Sequence, residues 1–368
     1  MRYAPSLSAS SRDLRLDLLR GLCLVKMVLE HLLPSPLRQV GDWLGFVTAA
    51  EGFFFISGAV LGIVYRRRLS QQGLKSSSFA LWERAAQLYI ANLAFVFLFL
   101  SLELSQILPL NLFATDGGSS LSWSQVFSLD QPYYLHVLPR YVVFLAAAPI
   151  ALFFLHRGWT AMVLALSVGI HGIHWIIGPN FHLPWLETPE AHFPSASWQL
   201  LFFVGMILGW HRPKVAQSFG RIKGSPWALA FLCLGFLFFA LLRGASVQGW
   251  TSLGPHLPFW LDRQTLSYLR WVNLAIAFTF FFWIADRFWI PISRGAGWFL
   301  LPIGQNALYV FLLHIPIAFA LAYGIAPSLL RGLSDEALLV TRSVLNLAAL
   351  AILWLLVRQR VLFRWIPR

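Results

Sequence analysis

Charge is scarce in this chain. Asp, Glu, Lys and Arg make up 12% of its 368 residues, about half the share of an ordinary soluble domain. Cysteine is scarcer still. Cys23 and Cys233 both lie in apolar segments, which excludes a disulfide framework and gives little basis for a metal site. There is no internal repeat, no low-complexity tract and no polar stretch long enough to fold as a separate soluble domain. What the chain has instead is a 58% hydrophobic composition with 32 Phe and 17 Trp. In water such a chain would expose large apolar patches and aggregate, whereas in a lipid bilayer the aromatics suit lipid contact and interfacial belts. The net charge of +13 does not point to nucleic acid, because the basic residues cluster in short loops between apolar segments.

A bilayer-spanning helix needs about 20 mostly apolar residues. Candidates fall near 16–33, 43–65, 79–103, 137–155, 159–178, 196–210, 226–242, 265–285, 299–322 and 339–361. The expectation is an all-α integral membrane protein: one polytopic domain over 1–368, built as a bundle of about ten transmembrane helices. With ten spans and a cytoplasmic N-terminus, 19 of the 28 Lys and Arg fall on the inner side and 7 on the outer. This satisfies the positive-inside rule and puts both termini in the cytoplasm. No small-residue cleavage site follows the first apolar run, so that helix is expected to stay in the mature protein. The outer segments 104–136, 179–195 and 243–264 read as lids or interfacial pieces, the first carrying the turn-rich run Asp116-Gly117-Gly118-Ser119-Ser120.

Ionisable residues inside a membrane are costly and default to functional candidates. The first span carries Asp17, Arg20, Lys26, Glu30 and His31. At 100° per residue, Asp17, Arg20 and His31 share one face, with Arg20 and His31 about 16 Å apart along the axis. Lys26 and Glu30, at i and i+4, can neutralise each other on another face. The second span holds Glu51 among apolar neighbours, where a carboxylate needs a partner or a proton. Gly52, Ser57 and Gly58 there suit close helix packing. The bland reading for each charge is pairing with a neighbouring helix. His171 and His174, with His182 and His192, are too loosely spaced for a confident zinc site. His314, two residues before Pro316, either faces a cavity or bonds a carbonyl freed by the proline. Asp262, Arg263 and Arg270 either meet a substrate or form an exposed ion-pair cluster.

These residues resemble the OpgC family, bacterial inner-membrane proteins linked to succinylation of osmoregulated periplasmic glucans. The likeness begins with Arg12-Asp13-Leu14-Arg15-Leu16-Asp17-Leu18-Leu19-Arg20-Gly21, Glu30-His31 and Ala49-Ala50-Glu51-Gly52-Phe53-Phe54-Phe55-Ile56-Ser57-Gly58. It continues through Arg84-Ala85-Ala86-Gln87-Leu88-Tyr89, Ser197-Trp198-Gln199-Leu200-Leu201-Phe202 and Leu261-Asp262-Arg263-Gln264-Thr265-Leu266 with Leu269-Arg270. The chain also resembles the broader membrane acyltransferase type-three superfamily. That group has an Arg, ten residues, then a His on its first helix, which Arg20 and His31 fit. It has Phe-Phe-x-x-Ser-Gly on its second, a spacing kept by Phe53-Phe54 with Ser57-Gly58.

The resemblance implies acyl transfer, with no tightly bound cofactor. An acyl group, succinyl by family, would move from cytoplasmic acyl-CoA to a hydroxyl of a periplasmic glucan or related glycan. His31 is the expected base, since an unperturbed imidazole titrates near neutrality. Glu30 or Glu51 would orient it, because Asp17 lies three to four turns away. Arg20 would hold the donor. Arg66, Arg67, Arg68 and Arg84 could attract the negative coenzyme. Asp17, Ser57, Arg84, Tyr89, Asp262, Arg263, Arg270 and His314 complete the candidate substrate-binding set. A transporter or flippase for an anionic or glycan substrate is the competing reading. It lacks the inverted repeat and the paired broken helices such proteins often show.

Overall fold

A computed structural model describes residues 12–39, 41, 44–105, 126–129, 131, 133–183, 186–187, 191–248 and 257–363. The expected turn at 116–120 and most of the first expected lid, 104–136, lie outside the described residues. Helix is the only regular structure among the described residues. In chain order the main helices are α1 (Leu14–His31), α2 (Ala49–Leu104), α3 (Val137–His156), α4 (Thr160–Ile177), α5 (Ser195–Trp210), α6 (Arg212–Gly224) and α7 (Pro226–Val247). There follow α8 (Tyr268–Arg287), α9 (Trp289–Gly295), α10 (Gly297–Gln305), α11 (Ala307–Phe319) and α12 (Asp335–Arg358).

Among the described residues, seven helices are long and apolar enough to cross a bilayer: α2, α3, α4, α7, α8, the run Ala307–Leu329 and α12. α5 is apolar but shorter, and α1 carries its polar stripe. The protein is a multi-pass membrane protein. Its surface agrees, since Trp227, Phe231, Ile90 and Ile176 stand largely exposed on α7, α2 and α4, where lipid rather than water would cover them.

Each expected span overlaps helix, but the expected ten are not reached by length and composition, and three further details differ. The second and third spans form one helical run, Ala49–Leu104, broken only at Gly73. With φ 77° and ψ 174°, Gly73 occupies a region open essentially to glycine alone, so the chain turns there without a loop. The second span starts at residue 49 rather than 43, because Thr48 caps the helix and Glu51 closes a capping box. The ninth span is subdivided. α10 ends at Gln305, α11 runs through Pro316, and Ala320–Ile325 widens into a π turn, the kind of local adjustment that accommodates a missing donor in a membrane helix.

The core is centred on α2 crossing α5. Phe53, Phe54, Phe144, Trp198 and Phe202 are fully buried there, with Phe54 edge-on to Phe144 and Trp198. The backbones approach so closely that a methyl at Gly209 would overlap the Ala59 carbonyl, and one at Gly58 the Phe202 carbonyl. Gly209→Ala must therefore part the helices. Its expected cost is about 1–3 kcal/mol, read as a lowered Tm in detergent.

Candidate active site along the first helix

α1 starts at Asp13, whose side chain accepts from the Arg15 backbone N–H. Three carboxylates and five cations then knit the start of α1 to its surroundings. Arg15 bonds Asp13 and Asp286, Arg212 reaches Asp13 at 3.1 Å, and Lys223 bonds Asp286 at 2.6 Å. Asp17 is almost fully buried and bridges two guanidiniums, accepting from Arg12 and, at 2.9 Å, from Arg20. Arg20 also donates from Nε to the Gly304 carbonyl at 2.7 Å. α1 and α10 are closely apposed here, since any Cβ at Gly304 would overlap the Asp17 carbonyl. The guanidinium is thereby fixed from two sides.

A cavity of about 420 Å³ opens beside it. Asp17, Arg20, Ser57 and Arg84 from the candidate set all line it, with Arg12, Arg67, Phe53 and Tyr141. Four guanidiniums thus converge on one chamber, only partly offset by Asp13 and Asp17. Residues as far apart in sequence as Arg12 and Leu308 meet here.

His31 stands about 16 Å further along α1 and pairs with a residue 283 positions away. Its Nδ1 lies 2.7 Å from Nε2 of His314, with the rings stacked 5.0 Å apart. His314 is buried, and its Nδ1 faces the Phe311 carbonyl. A carbonyl only accepts, so Nδ1 of His314 holds the proton and Nε2 presents a lone pair. His31 must then donate from Nδ1, which leaves the lone pair of neutral His31 on Nε2. Sequence spacing could not have found this pairing, although His314 itself stood out beside Pro316.

Neither histidine lines the cavity. Phe53 lines it and stacks on Phe311 at 5.9 Å, and Phe311 meets His314 edge-on at 5.3 Å. Two rings in series, Phe53 and Phe311, thus divide the arginine chamber from the histidine pair.

Other expectations need revision. Neither carboxylate orients His31. Glu30 pairs with Lys26 one turn back, and Glu51 is committed to Thr48 and Arg270. Glu51 also sits in the first turn of α2 rather than deep within it, a placement the Thr48-x-x-Glu51 capping signature could have signalled. Arg270 is buried, bonding Glu51 with two nitrogens and the Leu261 carbonyl with a third, so it is not part of an exposed cluster. Asp262 caps the local turn by accepting from the Thr265 N–H and hydroxyl. Arg263 is exposed and lies over the Phe193 ring at 5.3 Å. The Tyr89 hydroxyl donates to the Phe127 carbonyl at 3.3 Å and does not reach the chamber. Among the described residues, no three His, Cys, Asp or Glu side chains gather as metal ligands would; His174 instead bonds the Phe181 carbonyl.

Comparison with known proteins is consistent with this arrangement. No curated protein matches the chain. A family model described as "OpgC protein" matches residues 12–365, a stretch that takes in the arginine chamber, the histidine pair and every helix between them. By that near-complete match, this chain belongs to the OpgC family.

Proposed function

We propose that the protein is a membrane O-acyltransferase that moves an acyl group, succinyl by family, from cytoplasmic acyl-CoA to a hydroxyl of a periplasmic glucan or related glycan, in the bacterial inner membrane with both termini inside. The supporting observation is the pairing of His31 with His314 across the Phe53 and Phe311 rings from a chamber lined by Arg12, Arg20, Arg67 and Arg84.

Positive-inside orientation puts the chamber on the cytoplasmic side, where an anionic coenzyme is available. Arg20, held by Asp17 and Gly304, meets the donor's negative groups, and Arg84 and Arg67 add to the attracting field. Ser57 lies on the same wall. On the far side of the rings, Nε2 of His31 accepts the proton of the acceptor hydroxyl as its oxygen bonds to the thioester carbonyl carbon. Collapse of the tetrahedral adduct breaks the C–S bond, and the proton on His31 goes to the departing thiolate. No acyl-enzyme is needed. His314 is a positioning residue: it holds the tautomer of His31 in which Nε2 is basic. Lys26, Glu30, Glu51 and Arg270 act on the architecture around this path, Asp262 and Arg263 on its outer rim.

Purified protein in liposomes, given labelled succinyl-CoA and a periplasmic glucan, is expected to release coenzyme thiol only when glucan is present and to label the glucan. Glucan movement across the bilayer without thioester cleavage would establish the transporter reading instead. His314→Phe keeps the ring but removes the acceptor for His31 Nδ1–H. Its expected effect is a fall in kcat of roughly 10²-fold, the scale of a misplaced catalytic group. His314→Gln, which restores an acceptor, should recover part of that loss in the same assay.

A further inference from the structure

A second cavity, about 820 Å³, lies on the other side of α1's first turns and plays no part in the chemistry above. It is roofed by α6, a helix with no buried residue. Val215, Phe219 and Ile222 recur at the i, i+4, i+7 spacing of one helix face and all line the cavity. Across from them stand Phe55, Ile63, Phe278 and Phe282. Phe219 meets Phe282 edge-on at 5.0 Å, while Val215 is exposed and Ile222 only partly covered. A chamber of this size with apolar walls is not well filled by water, which needs polar partners.

Its mouth is of the opposite character. Arg15, Arg66, Arg67, Arg212 and Lys223 line it against only Asp13 and Asp286, leaving a cationic surplus. Lys214 and Arg221 extend this charge along α6. His211 beside the mouth titrates below the usual histidine range, chiefly through burial and further through the positive charges of Lys214 and Arg66. A basic rim over an apolar chamber between membrane helices is the chemistry that holds an anionic lipid. A free phosphate would leave the apolar walls unused.

We propose that this cavity binds one anionic glycerophospholipid, its headgroup phosphate between Arg66 and Lys223 and its acyl chains along the α6 face and Phe278. The occupant fills the gap beneath α6 and seals the helix to the bundle.

The test uses full-length protein in nanodiscs of equimolar phosphatidylglycerol and phosphatidylcholine, with native mass spectrometry of the released protein. Wild-type protein is expected to keep one phosphatidylglycerol in clear preference to phosphatidylcholine. The Arg66→Gln/Lys223→Gln double variant should reduce that preference by roughly tenfold. Ala216→Trp, which fills the chamber and touches no cation, should reduce retention of both lipids. Equal retention of the two lipids by wild type, or an unchanged preference in the double variant, overturns the proposal. So does strictly competitive displacement by coenzyme A, in which no protein molecule is found carrying both lipid and coenzyme; that result would assign the cavity to the acyl donor.

Discussion

His31→Ala is expected to lower acyl transfer by roughly 10²–10⁴-fold, the range attributed to a positioned general base, while membrane insertion and Tm stay near wild type. His31 is only partly buried, so truncation removes less packing than the loss of a core ring would. The rate to measure is glucan-dependent thiol release from succinyl-CoA. The distinction from a structural role comes from His31→Gln, which preserves a donor to His314 but has no basic nitrogen. It should be as inactive as alanine. A variant lacking the imidazole that still transfers acyl groups at the wild-type rate would remove His31 from the chemistry altogether.

Glu51→Ala is the change expected to cost most in stability. Glu51 and Arg270 are both buried and joined by two hydrogen bonds. Removing the carboxylate strands a guanidinium in a low-dielectric interior and opens the capping box at the start of α2, although Thr48 still caps the helix. Breaking a buried pair from one side costs about 3–5 kcal/mol, to be seen as a large drop in Tm in detergent. The paired replacement Glu51→Leu with Arg270→Met should lose markedly less, since apolar residues of similar volume often replace buried ion pairs with little penalty. If single and double variants are equally unstable, the pair is not the source of the effect. If Glu51→Ala folds normally and only transfer is lost, Glu51 belongs to the chemistry.

Helix positions were legible because apolar runs of bilayer length leave few alternatives. α1 was legible for a different reason: its charges recur on one face, although its hydropathy is too low for a spanning helix by composition alone. The arginine chamber was legible in part. Asp17 and Arg20 belong to the polar stripe of α1, and Ser57 and Arg84 stood in the motifs of the family resemblance. Two pairings were beyond reach. His31–His314 and Glu51–Arg270 join residues 283 and 219 positions apart, and one chain's periodicity carries no information on which helices become neighbours. Glu51 was misplaced because its apolar surroundings outweighed the capping signature beginning at Thr48. Tyr89 shared a helix with Arg84, but five residues turn a helix by more than a full revolution, and its hydroxyl ends at Phe127.

Asp13, Leu16, Ile63 and Arg67 line both cavities. These four side chains form a common partition, so a rotamer change in Arg67 that enlarges one chamber narrows the other. On the two proposals above, a lipid and a donor that each favour a different Arg67 rotamer would alter each other's affinity. Whatever factor one imposed on the other's dissociation constant would be returned in equal measure, and the wall of α1 and α2 would then be a point of thermodynamic exchange between bilayer composition and donor occupancy.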